Sequence, residues 1–276
     1  MICADDYALT PSICEAIIEL ADLGRISATS VMTLSPFWPA WAQRAERMQT
    51  CIDVGLHLDF TSDFAVEQGY GTTLGQLMVS SMLRTLSPVK VKEQILHQLD
   101  LFEQHAGSEP DHIDGHQHVQ QFPVIREALI ETLVKRYPSN RRPWIRVSRL
   151  LTSQWELKKQ IINAMGANSL LILSQRFGVA HSHALSGSYD FSGDTYCYWL
   201  RLNDWIKTIP TGTVLMCHPS TDHDTVAPFA KARYQELKVL RESDLQNLLD
   251  LRGVRIVRGK LLFKTPTVRP LMQQKL

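Results

Sequence analysis

The 276-residue sequence has no excess of charge of either sign, since 29 lysines and arginines are balanced by 28 aspartates and glutamates. A basic surface for nucleic acid or for an anionic membrane is therefore not expected, and a small, roughly neutral partner is favoured. The five cysteines include no C-x-x-C pair, which argues against a zinc ribbon and against a disulfide framework. Reduced thiols in a cytoplasmic protein are the simpler interpretation.

Long apolar runs are missing as well. A transmembrane helix needs about 18 consecutive apolar residues, and no stretch of this chain approaches that length. A signal peptide would need a basic and then an apolar region near the start, where this chain has Asp5 and Asp6. No internal repeat, low-complexity tract or Gly/Ser linker divides the chain. With 44% hydrophobic residues the chain can build a substantial core, and we expect one soluble, cytoplasmic domain over residues 1–276.

Short apolar or β-branched runs alternate with longer segments of helical period, which is typical of a mainly parallel sheet wrapped by helices. Roughly eight such units predict a single α/β domain with a TIM-like (β/α) barrel architecture. Thr10 and Pro11 offer a cap and a first turn for the first helix, which Gly24 ends. The predicted strands cover residues 2–6, 28–34, 53–60, 112–119, 144–147, 170–173, 213–218 and 254–257. The predicted helices cover residues 11–23, 39–48, 89–105, 123–136, 154–165, 196–207 and 231–250.

Two segments interrupt this alternation. Residues 61–87 are rich in glycine and then in apolar side chains, and are interpreted as a long insertion, either a lid or a dimer contact. Residues 178–194 are also loop-like. Either segment could line a substrate groove, and a homodimer through the apolar half of residues 61–87 is one expectation.

The most unusual stretch is the run from His112 to His118, in which polar side chains occupy alternate positions. In a β-strand, His112, Asp114, His116 and His118 would all project on one side. An inner strand face that carries three imidazoles and a carboxylate is costly unless a metal, a proton transfer or a hydrogen-bond network satisfies them. This strand is therefore a candidate functional site.

Other polar side chains fall at the ends of predicted strands. Asp5 and Asp6 close the first strand, His57 lies within the third, and His218 closes the late strand over residues 213–218. Taken singly, the aspartates could cap a helix, His57 could be a hydrogen-bonded core residue and His218 could belong to a turn. Together they meet at the strand edge where (β/α) folds gather catalytic groups.

One aspartate oxygen with two neutral imidazoles makes a three-ligand set that leaves positions open for water. Such a set suits catalytic Zn²⁺ or another first-row divalent ion. A second carboxylate beside that water could serve as its general base. His218 at the same rim could act as an acid or stabilise an oxyanion.

Four motifs resemble, in the same order, those of the YdjC-like carbohydrate deacetylases. The resemblance extends from Asp5 to about Val257, and the combination is much more specific than any one motif. The motifs are Ala4-Asp5-Asp6-Tyr7, Gly55-Leu56-His57-Leu58, His112-Ile113-Asp114-Gly115-His116-Gln117-His118 and Cys217-His218-Pro219.

The resemblance implies a distorted (β/α) barrel, one divalent metal ion, Mg²⁺ or Zn²⁺, and removal of an acetyl group from an N-acetylated sugar. It implies that Asp6, His57 and His116 bind the metal and that Asp5 is the catalytic base. Proton delivery to the leaving amine could come from Asp5 or from His218.

The chain also departs from the family pattern. Cys3 stands where an asparagine is usual, Tyr7 and Ala8 replace a phenylalanine and a glycine, and Gln120 replaces a further histidine. These changes leave the implied metal ligands intact, so they bear on substrate contacts more than on chemistry.

The remaining polar residues of the site have supporting roles in this interpretation. His112, Asp114 and His118 are expected to orient His116 and to line the pocket rather than to bind metal directly, since three protein ligands and water complete a catalytic site. Arg146, near a strand end, is expected to contact substrate oxygens.

Two other functions fit parts of the pattern. A metal-dependent phosphoesterase would also use histidines and aspartates, but it should need a second metal ion bridged by a carboxylate. A non-catalytic sugar-binding or metal-binding barrel is the other alternative, although the intact Asp5 speaks against it. Possible substrates are chitooligosaccharides, a glycolipid or lipid-linked sugar, or an acetylated intermediate of polysaccharide or antibiotic synthesis.

Overall fold

The computed structural model describes residues 1–150, 163–222 and 229–263. In these parts of the chain seven strands form one sheet, and every pair of neighbouring strands is parallel. Their order across the sheet is β5-β4-β3-β2-β1-β7-β6. The strands are β1 Ile2–Tyr7, β2 Ala28–Val31, β3 Asp53–Leu58, β4 His112–Gly115, β5 Trp144–Ile145, β6 Ala184–Ser186 and β7 Thr213–Cys217.

The two edge strands of this sheet are joined by isolated pairings. Ile145 of β5 pairs with His181, just before β6, and Leu150 pairs with Leu185 of β6. The strands therefore follow one another around a ring in chain order. The prediction of a distorted single (β/α) barrel is confirmed, with seven described strands, of which β5 and β6 are only two and three residues long.

Helices follow most of the strands and cover the outside of the ring. The helix between β1 and β2 begins as predicted, because the side chain of Thr10 accepts a hydrogen bond from the backbone N–H of Ile13 and Pro11 lies in the first turn. Gly24, with φ +66°, lies just beyond its end. The helices are α1 Pro11–Asp22, α2 Trp38–Met48, α3 Asp63–Glu67, α4 Leu74–Met82, α5 Pro88–Ala106, α6 Ile125–Arg136, α7 Asn168–Arg176, α8 Thr195–Thr208, α9 Ala230–Arg241, α10 Ser243–Arg252 and α11 Gly259–Leu262.

The predicted strand over residues 112–119 is wrong in its second half. The strand ends at Gly115, and residues His116–Gln121 form a short 3₁₀ segment. Gln117 (φ 54°) and His118 (φ 64°) are left-handed there, so the two-residue alternation of side chains stops at the strand end. The sequence pattern marked the polar positions but could not mark where the chain leaves the sheet.

Three other predicted elements also differ. Residues 170–173 lie in α7, because a short apolar run cannot be assigned to strand or helix by its pattern alone. Residues 254–257 form no strand; Val254 and Ile256 pack partly buried against the core. The predicted helix 231–250 is two helices, since Glu242 is extended (φ −67°, ψ 152°). Most of the predicted helix 154–165 lies outside the described residues.

Residues 61–87 contain α3 and α4 rather than an irregular loop. Val79, Met82 and Leu83 are exposed on this insertion. The expectations of a lid and of a dimer contact stay predictions. None of the helices in the described parts of the chain has the length and apolar character needed to span a bilayer.

A substitution at Gly55 of β3 would test how tightly the interior of the ring is packed. A Cβ atom at Gly55 would lie 2.4 Å from the buried ring of His112, so we expect Gly55→Ala to lower the free energy of unfolding by about 2 kcal/mol. The matched control is Gly75→Ala in α4, where a Cβ would meet nothing within 4 Å, and which should raise the free energy of unfolding by about 0.5 kcal/mol. Urea unfolding measures both, and equal effects would contradict the packing argument.

Candidate active site

Parallel strands bring their carboxyl ends to one edge of the ring, and the candidate site lies there. Asp5 and Asp6 are consecutive at the end of β1, so a regular strand would point them to opposite faces. The pairing of β1 with β2 shifts register between Ala4 and Tyr7, and Asp6 has a left-handed backbone (φ 68°). This irregularity lets both carboxylates reach the same group of polar side chains.

Asp6, His57 and His116 come together as a possible metal site, as the family resemblance implies. Oδ1 of Asp6 lies 3.4 Å from Nε2 of His57 and 3.2 Å from Nδ1 of His116. One ligand atom from each residue lies within 4.8 Å of the others. Two donors each about 2.1 Å from one tetrahedral ion would be about 3.4 Å apart, so the spacing is compatible with a single metal ion.

The second oxygen of Asp6 accepts a hydrogen bond from Arg233 of α9. Burial alone would raise the pKa of Asp6, but the charge of Arg233 and the bonds from the two imidazoles outweigh it and hold that pKa well below its usual value. Asp6 is therefore ionised, as a carboxylate that binds a metal ion must be. Sequence reasoning missed Arg233, because a single arginine in a helical pattern looks like a surface residue.

His57 is held by its other ring nitrogen. Nδ1 of His57 donates to Oδ1 of Asp114 at 2.6 Å, which leaves Nε2 facing Asp6. Burial opposes protonation, but Asp114, Asp6 and Asp5 raise the pKa of His57 to about 10, so a metal ion at this site would bind in exchange for the proton on Nε2. A carboxylate behind a ligand imidazole fixes its tautomer and orientation. Asp114 was predicted to support His116; the structure places this contact on His57.

Asp114 is the acceptor of a small buried network. Its Oδ2 accepts from Oγ of Ser30 at 2.6 Å and lies 3.0 Å from Nη1 of Arg146. The charges of Arg146 and His57 outweigh burial and hold the pKa of Asp114 well below its usual value. Ser30 also lies 3.1 Å from Nε2 of His112. Ser30 gave no sequence signal.

Asp5 and Arg146 form a buried two-bond ion pair. Nη1 and Nη2 of Arg146 donate to the two oxygens of Asp5 at 2.6 and 2.9 Å. Burial would raise the pKa of Asp5, but the charges of Arg146 and His57 lower it below its usual value. Arg146 was predicted to contact substrate; the structure places its guanidinium on Asp5 and Asp114, where it keeps Asp5 ionised and fixes its orientation.

His218 follows β7 and faces Asp5 from the other side. Its Nε2 lies 3.9 Å from Oδ2 of Asp5. Burial lowers the pKa of His218 to about 4, so the ring is neutral at neutral pH and can donate one hydrogen bond. The site therefore holds an anionic carboxylate and a neutral imidazole side by side.

The backbone of His218 is anchored by Glu236 of α9, which is buried. Glu236 accepts from the His218 N–H at 2.5 Å and from the Tyr189 hydroxyl at 2.7 Å. Burial raises the pKa of Glu236 to about 7. Like Arg233 one turn earlier, Glu236 was not found by sequence reasoning, and both lie on the face of α9 that meets the ring.

His112 and His118 occupy two different surroundings. His112 is fully buried and stacks on Trp144 with ring centroids 4.6 Å apart. Nδ1 of His118 lies 3.1 Å from Oγ of Ser148, and burial together with the charge of Arg146 lowers the pKa of His118 to about 3. These contacts are with Trp144 and Ser148 rather than with His116, so the expectation that the two histidines orient His116 stays a prediction.

A family model described as YdjC-like protein matches residues 1–251. The chain belongs to the YdjC-like family. Curated relatives include the chitooligosaccharide deacetylase of Salmonella typhimurium, which is 25% identical over 262 residues, with 91% of this chain and 94% of the relative covered. The chitooligosaccharide deacetylase of Salmonella paratyphi B is 24% identical over the same shares of both chains.

Solved structures share the fold of this YdjC-like chain. A protein from Enterococcus faecalis named for cellobiose-phosphate cleavage superposes with a TM-score of 0.71 at 20% identity, covering 95% of this chain and 98% of that one. A peptidoglycan N-acetylglucosamine deacetylase gives a TM-score of 0.52 at 11% identity, covering 97% of this chain and 89% of that one. At these identities the likeness concerns the fold.

Glu236 should make stability depend on pH. Its pKa is about 7 in the folded protein against 4.5 as the usual value, so the stability that its neutral form contributes is full below pH 4.5 and is lost as the pH rises through 7. As the pH rises from 5 to 8, the unmodified protein should lose this stability and Glu236→Gln should not. The difference in the free energy of unfolding between the two proteins should therefore shift by up to about 3 kcal/mol in favour of Glu236→Gln. Urea unfolding at both pH values measures the difference, and a constant offset would contradict the raised pKa.

Proposed function

We propose that this protein is a divalent-metal-dependent hydrolase that removes the acetyl group from an N-acetylated sugar. The observation that carries the proposal is the position of the buried, ionised Asp5 beside the cluster of Asp6, His57 and His116. The curated relatives are named chitooligosaccharide deacetylases and align over 91% of the chain. An oligosaccharide that contains N-acetylglucosamine is therefore the preferred substrate class.

The donor set suits the proposed metal ion. One carboxylate and two imidazoles, with the second nitrogen of His57 held by Asp114, are typical of a catalytic zinc site. The two imidazoles favour zinc or another first-row ion over magnesium. Such an ion, when bound, polarises the acetyl carbonyl and lowers the pKa of a water molecule.

Asp5 is the proposed base. It accepts a proton from the attacking water while Arg146 fixes its two oxygens. Attack forms a C–O bond to the acetyl carbon. Asp5 returns the proton to the nitrogen as the C–N bond breaks, which gives a free amine and acetic acid that ionises to acetate. With a pKa of about 4, His218 is neutral and a poor proton carrier. Its proposed role is therefore to donate a hydrogen bond to the acetyl carbonyl oxygen as that oxygen becomes negative.

The structure gives less support to a two-metal phosphoesterase. A second ion would need a bridging carboxylate, and the two neighbouring groups of possible ligands, Asp5-His57-Asp114 and Cys3-His112-Asp114, both include Asp114. The guanidinium of Arg146 already lies between Asp5 and Asp114, at 2.6 and 3.0 Å. A cation built into the chain therefore takes the place that a second metal ion would need.

Acetate release tests the function directly. N-acetylglucosamine oligomers and other N-acetylated sugars should release acetate with the metal-loaded protein, and a chelator should remove at least about 90% of the rate by depriving the site of its ion. Adding Zn²⁺ back should restore the rate. Release of acetate that a chelator leaves unchanged would overturn the metal dependence, and no release from any sugar would favour a non-catalytic barrel.

Asp5→Asn tests the base. The substitution removes the carboxylate charge but not the three proposed ligands, so we expect kcat to fall by at least about 100-fold while one metal ion per chain is retained. Acetate release and metal analysis of the purified variant measure the two quantities. The control is Asp100→Asn, which changes an exposed aspartate of α5 that pairs with Arg136 and should leave kcat unchanged. A fully active Asp5→Asn protein would exclude this base.

A further inference from the structure

Two phenylalanines, Phe191 and Phe229, form a stacked pair beside the candidate site; we call them the aromatic pair. Their ring centroids are 4.3 Å apart and their planes differ by 16°. Phe191 also meets the ring of His218 edge to face, with centroids 5.5 Å apart. Phe191 lies in the connection after β6 and Phe229 in the connection after β7, at the carboxyl edge of the sheet. The aromatic pair thus adjoins the proposed reaction centre.

The backbone of both residues is strained. Phe191 has φ 58° and Phe229 has φ 62°, in the left-handed region that bulky side chains rarely adopt. Such a conformation is unfavourable for a bulky residue and persists only where its surroundings hold it. Backbone strain of this kind clusters at ligand sites. Here it occurs in two residues whose side chains touch each other.

Phe229 remains 57% exposed although one face is covered by Phe191. It immediately precedes α9, and it stands four and seven residues before Arg233 and Glu236. Arg233 and Glu236 lie three residues apart within α9 and so share one helix face, whereas Phe229 lies outside the helix at its start. Arg233 contacts Asp6 and Glu236 contacts His218, so this is the face of α9 that meets the site.

We propose that the aromatic pair is a stacking platform for a pyranose ring of the substrate. A pyranose presents C–H groups on its faces, and an aromatic ring carries negative charge density on its face, so the two attract while apolar surface is buried. The proposal rests on the proposed function, because that function brings a sugar beside His218. The platform binds the sugar without taking part in proton transfer.

Phe229→Ala tests the platform with N,N′-diacetylchitobiose as substrate. We expect KM to rise about tenfold and kcat to stay within twofold, because the ring contributes binding and no chemistry. Phe229→Trp, which keeps an aromatic face, should stay within twofold of the unmodified protein in both constants. The matched control is Phe177→Ala, which removes an equally large ring, 46% exposed, next to α7, and which should change neither constant.

A binding measurement separates this proposal from the proposed function. The Kd of chitobiose, the fully deacetylated disaccharide, is measured by calorimetry on the metal-loaded proteins, and Phe229→Ala should weaken it about tenfold. If no protein releases acetate but Phe229→Ala weakens chitobiose binding, the platform stands and the deacetylase proposal fails. Unchanged KM and Kd in Phe229→Ala would overturn the platform, as would failure of the unmodified protein to bind the disaccharide. Should Phe229→Ala misfold, Phe229→Leu keeps the apolar volume without the ring, and the same outcomes decide.

Discussion

The rest of the site depends on the burial of one guanidinium, that of Arg146, between the carboxylates of Asp5 and Asp114. Buried charges are tolerated only when they are paired and hydrogen-bonded. With Arg146 in place, Asp5 can remain ionised inside the ring and Asp114 can remain a strong acceptor for His57. The orientation of that imidazole toward Asp6 follows from the pairing, so the proposed base and one proposed metal ligand are positioned by a single side chain.

Much of the fold was predictable because its signals are local. Alternating apolar runs, the cap at Thr10 and the position of Gly24 indicated strands and helices where the structure has them. The gathering of Asp6, His57 and His116 was also predictable, because parallel strands end at one edge and the motifs resemble those of a known family. Local pattern failed where it was ambiguous, as in the apolar run of residues 170–173, which is helical.

The parts of the site that sequence could not show are those that depend on distant contacts. Arg233 and Glu236 are ordinary residues of an amphipathic helix until α9 packs against the ring and brings them to Asp6 and His218. The irregular end of β1 leaves no mark in the sequence, although it alone lets two consecutive aspartates face the same space. The end of β4 at Gly115 was hidden for a related reason, since polar residues continue to alternate beyond it.

The side chains of the site come from β1, β3 and β4, from the residues just after β4, β5 and β7, and from α9, so they span almost the whole matched region of the chain. No contiguous fragment shorter than residues 5–236 contains them all. An ion or sugar bound at this edge therefore draws its affinity from the closed ring as a whole, and ligand occupancy is thermodynamically linked to global rather than local unfolding. Fraying of a single outer helix such as α10 would leave ligand affinity intact, whereas opening of the ring between β5 and β6 would remove it.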